Sequence, residues 1–204
     1  MQTTPSKIVC VGKNYLEHAK EMGSELPADP LLFLKPPSSL IGPGEAIVLP
    51  TLSTHVEHEA EIGLVIGTRL RKATEDEAMR GIRGFVCLND VTARDWQKKE
   101  SQWARAKGFD TFCAVGDDVV GGLDWAALEV IGRVNGQVRQ HGKARDMHFS
   151  IPFLLAHISQ VMTLEPGDLI ATGTPAGVGR LNPGDVVEVE IPGVGVLRNP
   201  VVAG

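Results

Sequence analysis

Aromatic side chains are scarce in this sequence. Phe, Trp and Tyr make up 5% of 204 residues, with a single tyrosine, so the core must be built from aliphatic side chains. Cysteine is scarce too. Cys10, Cys87 and Cys113 are odd in number and far apart, which excludes a disulfide framework. Each sits among apolar neighbours, as reduced core thiols do, and this points to a cytoplasmic protein. There is no excess of basic charge. Twenty Lys and Arg against 25 Asp and Glu give a net charge of −5, which leaves no electrostatic footprint for nucleic acid or an anionic membrane. No apolar run approaches the ~20 residues that span a bilayer. The opening MQTTPSKIVCVG does not have the layout of a secretory signal.

Turn formers are plentiful. With 23 Gly and 13 Pro, breaks recur closely along the chain, as in a β-rich fold of short strands. No Pro/Gly/Ser-rich linker divides it, and 204 residues suit one domain spanning 1–204. Strands are expected at Ile8–Val11, Leu31–Leu34, Ala46–Leu49, Val56–Ile66 and Phe85–Asp90. Asn135-Gly136 between two strand-like runs predicts a tight hairpin. Pro166-Gly167-Asp168 and Pro183-Gly184-Asp185 each read as a turn leading into a strand. Part of the polar stretch 92–110 is expected to be helical and part loop, and three further helices carry capping signals. Asn14 with Glu17 is a capping-box pattern for the first, with Gly23 as its stop, and Thr74 with Glu77 repeats the pattern for the second. Ser150 caps the third, over 151–162, whose Leu155, Ile158 and Met162 recur at helical spacing as a core face.

The chemistry starts at Glu59-Ala60-Glu61 in VEHEAEIGLVI. On a strand, alternate side chains share a face, ~7 Å apart. Glu59 and Glu61 then point one way, and Asp90, ending the next apolar run, adds a third carboxylate. Three carboxylates with open positions suit a hard divalent cation such as Mg²⁺ or Mn²⁺. Taken alone, the pattern also reads as a solvated acidic face. Glu57 shares that face, and spacing does not exclude it as a ligand. His18 and Glu21 lie three apart on the first helix, hence on one side of it. A carboxylate beside an imidazole orients it and raises its basicity, which makes a general base. The same residues, with Glu17 and Lys20, also read as a charged surface. Lys107 would hold a carboxylate or oxyanion if it lay near a cation, and is otherwise a surface lysine. The loop over 171–179 lacks the Gly-Lys-Ser/Thr of a phosphate loop, yet can bring backbone N–H groups close to an anion. His58 and His157 fall on apolar faces and read as hydrogen-bonded core histidines.

In order, these motifs are Gly12-Lys13-Asn14-Tyr15 with His18 and Glu21, Phe33-Leu34-Lys35-Pro36, His58-Glu59-Ala60-Glu61-Ile62-Gly63, Asn89-Asp90-Val91-Thr92-Ala93-Arg94-Asp95, Lys107-Gly108-Phe109-Asp110-Thr111, and Thr172 to Gly179. The series resembles the fumarylacetoacetate hydrolase family, in particular its small acylpyruvase-like members. The resemblance implies an α+β, mostly β fold, a mixed β-sandwich or roll with a few short helices. It also implies a homodimer and a Mg²⁺ or Mn²⁺ site on Glu59, Glu61 and Asp90, leaving out Glu57. By the same resemblance His18 and Glu21 form a water-activating dyad on a lid, with Lys107 catalytic and Lys13, Gln97, Gly173 and Thr174 at the substrate. Three positions depart from the family pattern: Lys13 where Arg is common, Gly108 where Ser is, and Ala114 where Pro is. The implied reaction is hydrolysis of a C–C bond in an acylpyruvate, a small-molecule oxoacid. Oxaloacetate decarboxylation, isomerisation or decarboxylation of a hydroxyheptadienedioate, and non-catalytic oxoacid binding are the alternatives.

Overall fold

The computed structural model describes residues 4–204. Its centre is the pair of strands Ala60–Ile66 and Ile82–Asp90, antiparallel, with Ala60 opposite Asn89 and Glu61 opposite Leu88. All seven residues of the first are buried, because both faces of the sheet are covered. This explains why Ile62-Gly63-Leu64-Val65-Ile66 is a continuous apolar run rather than an alternation. Ile62 and Leu64 face a large core that also contains Val130, Val189, Ile151 and Ile158. Val65, Val86 and Leu88 face a second cluster with Ile8 and Cys10. Side chains this completely enclosed stabilise the fold by about 1.5–3 kcal/mol each.

The central pair belongs to a mixed seven-stranded sheet. Its order is Leu31–Lys35, Ile8–Gly12, Leu169–Ala171, Ala60–Ile66, Ile82–Asp90, Cys113–Val115, Leu40–Ile41. Ile8–Gly12 runs parallel to Leu169–Ala171, a pairing between strands far apart in sequence. A five-stranded sheet packs against it, ordered Gln137–Lys143, Glu129–Val134, Val186–Ile191, Gly195–Ala203, Ile47–Leu49. Here Glu129–Val134 and Val186–Ile191 alternate strictly between buried and half-buried, since one face meets the core. A Cβ on Gly132 would lie 2.8 Å from the Ala60 side chain, so only glycine permits the two sheets to approach there. A small third sheet joins Gly179–Arg180, Val56–His58 and Thr92–Ala93. The architecture is mostly β with a few short helices.

Several local expectations hold. Asn135 and Gly136 both have positive φ, 53° and 76°, as the tight hairpin turn requires. Thr74 and Glu77 form a complete capping box on the helix Glu75–Arg80. Ser150 Oγ accepts the Phe153 N–H at the start of Ile151–Val161. Three readings need correction. The run over 56–66 is two strands, broken at Glu59, because the chain leaves one sheet there and enters another. Asn14 does not cap the helix Leu16–Glu21. Tyr15 occupies the cap position, and the Asn14 amide donates to the Thr172 (2.8 Å) and Phe149 (3.1 Å) carbonyls. His157 is only half-buried and stacks on Phe153 outside the core. Among the described residues, no helix is long and apolar enough to cross a membrane.

Candidate active site

The break at Glu59 brings three carboxylates together. Glu59 donates its N–H to Asn89 Oδ1 and accepts the Asp90 N–H, both at 2.9 Å, so it lies level with Asp90 across the ladder. Glu61 is one pleat further along. One carboxylate oxygen from each of Glu59, Glu61 and Asp90 lies within 4.8 Å of the other two, and all three residues are buried. Buried like charges this close repel unless a cation sits among or beside them. The donor set is all oxygen and fits a hard divalent ion.

Three cations of the chain border the cluster. Lys107 Nζ bridges Glu59 Oε2 and Asp90 Oδ2 at 2.7 Å each. Lys35 Nζ lies 2.6 Å from Asp90 Oδ1 and donates to the Val91 carbonyl. Arg94 reaches Glu59 Oε1 and Glu57 Oε2, both at 2.6 Å. Glu57 thereby serves as a counter-ion for Arg94 and lies outside the carboxylate triad. The acids respond differently. Burial pushes the Glu59 carboxyl up, but Lys107 and Arg94 outweigh it and hold the carboxyl well below the usual range. Glu61 is pushed up, by burial first and then by the charges of Asp90 and Glu59. Burial would lower the Lys107 ammonium, yet Asp90 and Glu59 together raise it. The thiols are inert: burial raises Cys10 well above its ordinary value and takes Cys87 to about 11 and Cys113 to about 12.

His18 is buried on its short helix, with Nδ1 3.1 Å from Glu21 Oε2. Glu21 is anchored in turn by the Gly177 N–H, at 3.1 and 3.2 Å to its two oxygens. A carboxylate on Nδ1 holds the proton there and leaves Nε2 free to take another. His18 lines a cavity of about 230 Å³ together with Glu59, Glu61, Lys107 and Thr174. Lys13, Gln97, Lys98 and Trp103 complete much of the wall. Lys13 and Lys98 have no ion-pair or hydrogen-bond partner among the described residues, so their charge is uncommitted.

The remaining expected site residues are brought close, with some of their donors already engaged. The Gly173 N–H donates to Glu61 Oε2 at 2.7 Å, and a Cβ there would meet Asn14 Cβ at 2.7 Å. The Thr174 hydroxyl donates to the Ala60 carbonyl at 2.8 Å and accepts from Gln140 Nε2 at 2.7 Å. Gln97 lines the cavity and accepts from Arg94 at 2.8 Å. Sequence reasoning assigned no role to Lys35, Arg94, Lys98 or Gln140. Lys35 carried a signal, a charge ending the apolar run Leu31-Leu32-Phe33-Leu34. Gln140 carried none. It is fully buried and ties Ala60, His58, Thr174 and Pro175 together through four hydrogen bonds.

Known proteins share this arrangement of sequence and fold. The family model for the fumarylacetoacetate (FAA) hydrolase C-terminal region matches residues 7–202. The chain is 42% identical to the human mitochondrial oxaloacetate tautomerase FAHD2A over 212 residues, covering 98% of this chain and 68% of that one. It is also 42% identical to a mitochondrial oxaloacetate decarboxylase of Dictyostelium discoideum, over 94% of this chain and 91% of that one. Its fold superimposes on the crystal structure of a 5-carboxymethyl-2-hydroxymuconate delta-isomerase from Mycobacterium smegmatis. The TM-score is 0.92 at 46% identity, covering 98% of this chain and 80% of that one. This chain belongs to the fumarylacetoacetate hydrolase family.

Proposed function

We propose that this protein is a divalent-cation-dependent enzyme that forms the enolate of a 2-oxo acid bearing a second carbonyl at C4, with keto–enol interconversion of oxaloacetate as the first reading. The observation that carries it is that His18, held by Glu21, lines the same cavity as Glu59 and Glu61 of the carboxylate triad. Glu59, Glu61 and Asp90 would hold Mg²⁺ or Mn²⁺. When bound, such an ion acts as a Lewis acid on the 2-oxo oxygen and favours negative charge there. His18 Nε2 takes a proton from C3, the carbon between the two carbonyls, and Glu21 stabilises the imidazolium. The imidazolium then gives that proton to the enolate oxygen, or back to C3 in the reverse direction. Lys107 supports the developing negative charge. The uncommitted charges of Lys13 and Lys98 suit a second carboxylate on the substrate, which favours oxaloacetate over a monocarboxylate. The names of the tautomerase and the decarboxylase at 42% identity point the same way.

Hydrolysis of an acylpyruvate is the second reading, and the same dyad favours it. There His18 takes a proton from water, hydroxide attacks the distal carbonyl, and the C–C bond breaks to give a carboxylic acid and a pyruvate enolate. A substrate panel separates the two. Purified protein with Mg²⁺ is assayed for oxaloacetate keto–enol exchange and decarboxylation, and for cleavage of acetylpyruvate and fumarylpyruvate, with His18→Ala alongside. Exchange that collapses in the variant supports the first reading. Acylpyruvate cleavage without exchange replaces it with the second. Full activity in His18→Ala would remove the dyad from both.

A further inference from the structure

Lys35 touches the triad, 2.6 Å from Asp90 Oδ1, and the reaction above does not use it. It belongs to the Phe33-Leu34-Lys35-Pro36 motif and does not line the cavity. Its side chain is wholly enclosed, with Nζ spent on Asp90 Oδ1 at 2.6 Å and the Val91 carbonyl at 3.2 Å. Burying an ammonium is costly unless it is paired and hydrogen-bonded. Here it is both, and the charge it meets is a proposed metal ligand.

The same pattern recurs on all three acids. Asp90 Oδ1 is engaged by Lys35, Glu59 Oε1 by Arg94 at 2.6 Å, and Glu61 Oε2 by the Gly173 N–H at 2.7 Å. Each carboxylate therefore has one oxygen held from outside the cluster, by hydrogen bonds on Asp90 and Glu61 and by an ion pair on Glu59. Asp90 Oδ2, Glu59 Oε2 and Glu61 Oε1 are the oxygens left. Lys107 also touches the first two, but a carboxylate oxygen accepts more than one partner. A cation here is offered one oxygen per acid.

Divalent ions differ in how they take such a set. Mg²⁺ takes six ligands in near-ideal octahedral geometry and usually keeps several waters. Ca²⁺ takes six to eight and commonly grips a carboxylate through both oxygens. We propose that Lys35 withholds Asp90 Oδ1 from the cation and so makes the centre selective for a small six-coordinate ion over Ca²⁺. The inference rests on the reading of the triad as a divalent-cation site. Lys35 is a positioning residue acting through Asp90.

The test is titration calorimetry of chelator-stripped full-length protein with MgCl₂ and with CaCl₂, for the unaltered chain and for Lys35→Met. Losing the ammonium's charge changes both affinities alike, because both ions are doubly charged, so the ratio of dissociation constants isolates the geometric effect. The unaltered protein should bind Mg²⁺ more tightly than Ca²⁺, and Lys35→Met should shift the ratio about tenfold toward Ca²⁺. Lys35→Arg, which keeps a donor on Oδ1, should hold the ratio near its original value. An unchanged ratio in a folded Lys35→Met overturns the proposal; a merely structural lysine would weaken both ions together. Should Lys35→Met not fold, the unaltered protein still decides. Tighter binding of Mg²⁺ sustains the inference, and Ca²⁺ binding as tight as Mg²⁺ refutes it. Heat from neither ion would instead refute the metal site itself.

Discussion

Replacing Gln140 by Ala tests whether the two sheets and the loop at Thr174-Pro175 are held by one side chain. Gln140 Oε1 accepts from the Ala60 N–H and from His58 Nδ1, each at 2.9 Å. Its Nε2 donates to Thr174 Oγ1 and the Pro175 carbonyl, each at 2.7 Å. Truncation leaves the Ala60 N–H, His58 Nδ1 and the Pro175 carbonyl without this partner. An orphaned buried polar group costs about 1–3 kcal/mol. Water entering the gap recovers part of that, so a net loss of about 3–5 kcal/mol is expected. At about 2–4 °C per kcal/mol for a chain of this size, Tm should fall by roughly 6–20 °C in differential scanning calorimetry. The same change frees Thr174 and the backbone at Ala60, next to Glu59 and Glu61, so metal affinity should weaken as well. A Tm drop below about 2 °C would refute the accounting, since it would show these groups finding other partners at no cost.

Three further outcomes follow from the same geometry. Glu21→Gln removes the charge that orients His18 while keeping its size, so kcat should fall by about 10²–10⁴ with KM little changed, measured by steady-state kinetics. Lys98→Ala should raise KM for oxaloacetate about tenfold and leave that for acetylpyruvate nearly unchanged; equal effects on both would deny Lys98 a role in reading the second carboxylate. Asp168 accepts from Ser6, Lys7 and the Glu165 N–H. Burial alone would raise its carboxyl, but these bonds hold it below the ordinary value. A depressed carboxyl contributes stability above its unfolded pKa near 3.9, and that stability is lost as pH falls through the folded value. Asp168→Asn should therefore cost about 2–4 kcal/mol at pH 7 and flatten the acid limb of the denaturation curve.

What could be read from the sequence was whatever local spacing determines. Period-two and period-three-or-four geometry placed Glu59 with Glu61, and His18 with Glu21, before any tertiary contact was known. Turn chemistry likewise located the Asn135-Gly136 hairpin and the Thr74 cap. Partners chosen across the fold were not legible. Asn14 has the right spacing to cap a helix, yet the Thr172 and Phe149 carbonyls compete successfully for its amide. The break at Glu59 is invisible in an apolar run, because it records a change of sheet rather than a change of propensity. Lys35 and Arg94 carried no role in the sequence, since only the packed structure shows which acids they neutralise. The order of the seven-stranded sheet was equally hidden, because one of its parallel pairs joins residues 8–10 to residues 169–171.

That parallel pair has a consequence for how the chain is made. Ile8–Gly12 can pair early with Leu31–Lys35, but its other edge must wait for a strand that begins 157 residues after Gly12, from 12 to 169. At 5–20 residues per second on the ribosome, the wait is roughly 8–30 s. Throughout it, Ile8-Val9-Cys10 presents an unpaired apolar edge, the kind of surface that chaperones cover and that aggregates when they do not. The late strand also leads to Gly173, which donates to Glu61. A nascent chain that has not yet reached Gly173 therefore lacks both the closed sheet and one support of its carboxylate cluster, so the ability to capture a cation should emerge only after that residue is made.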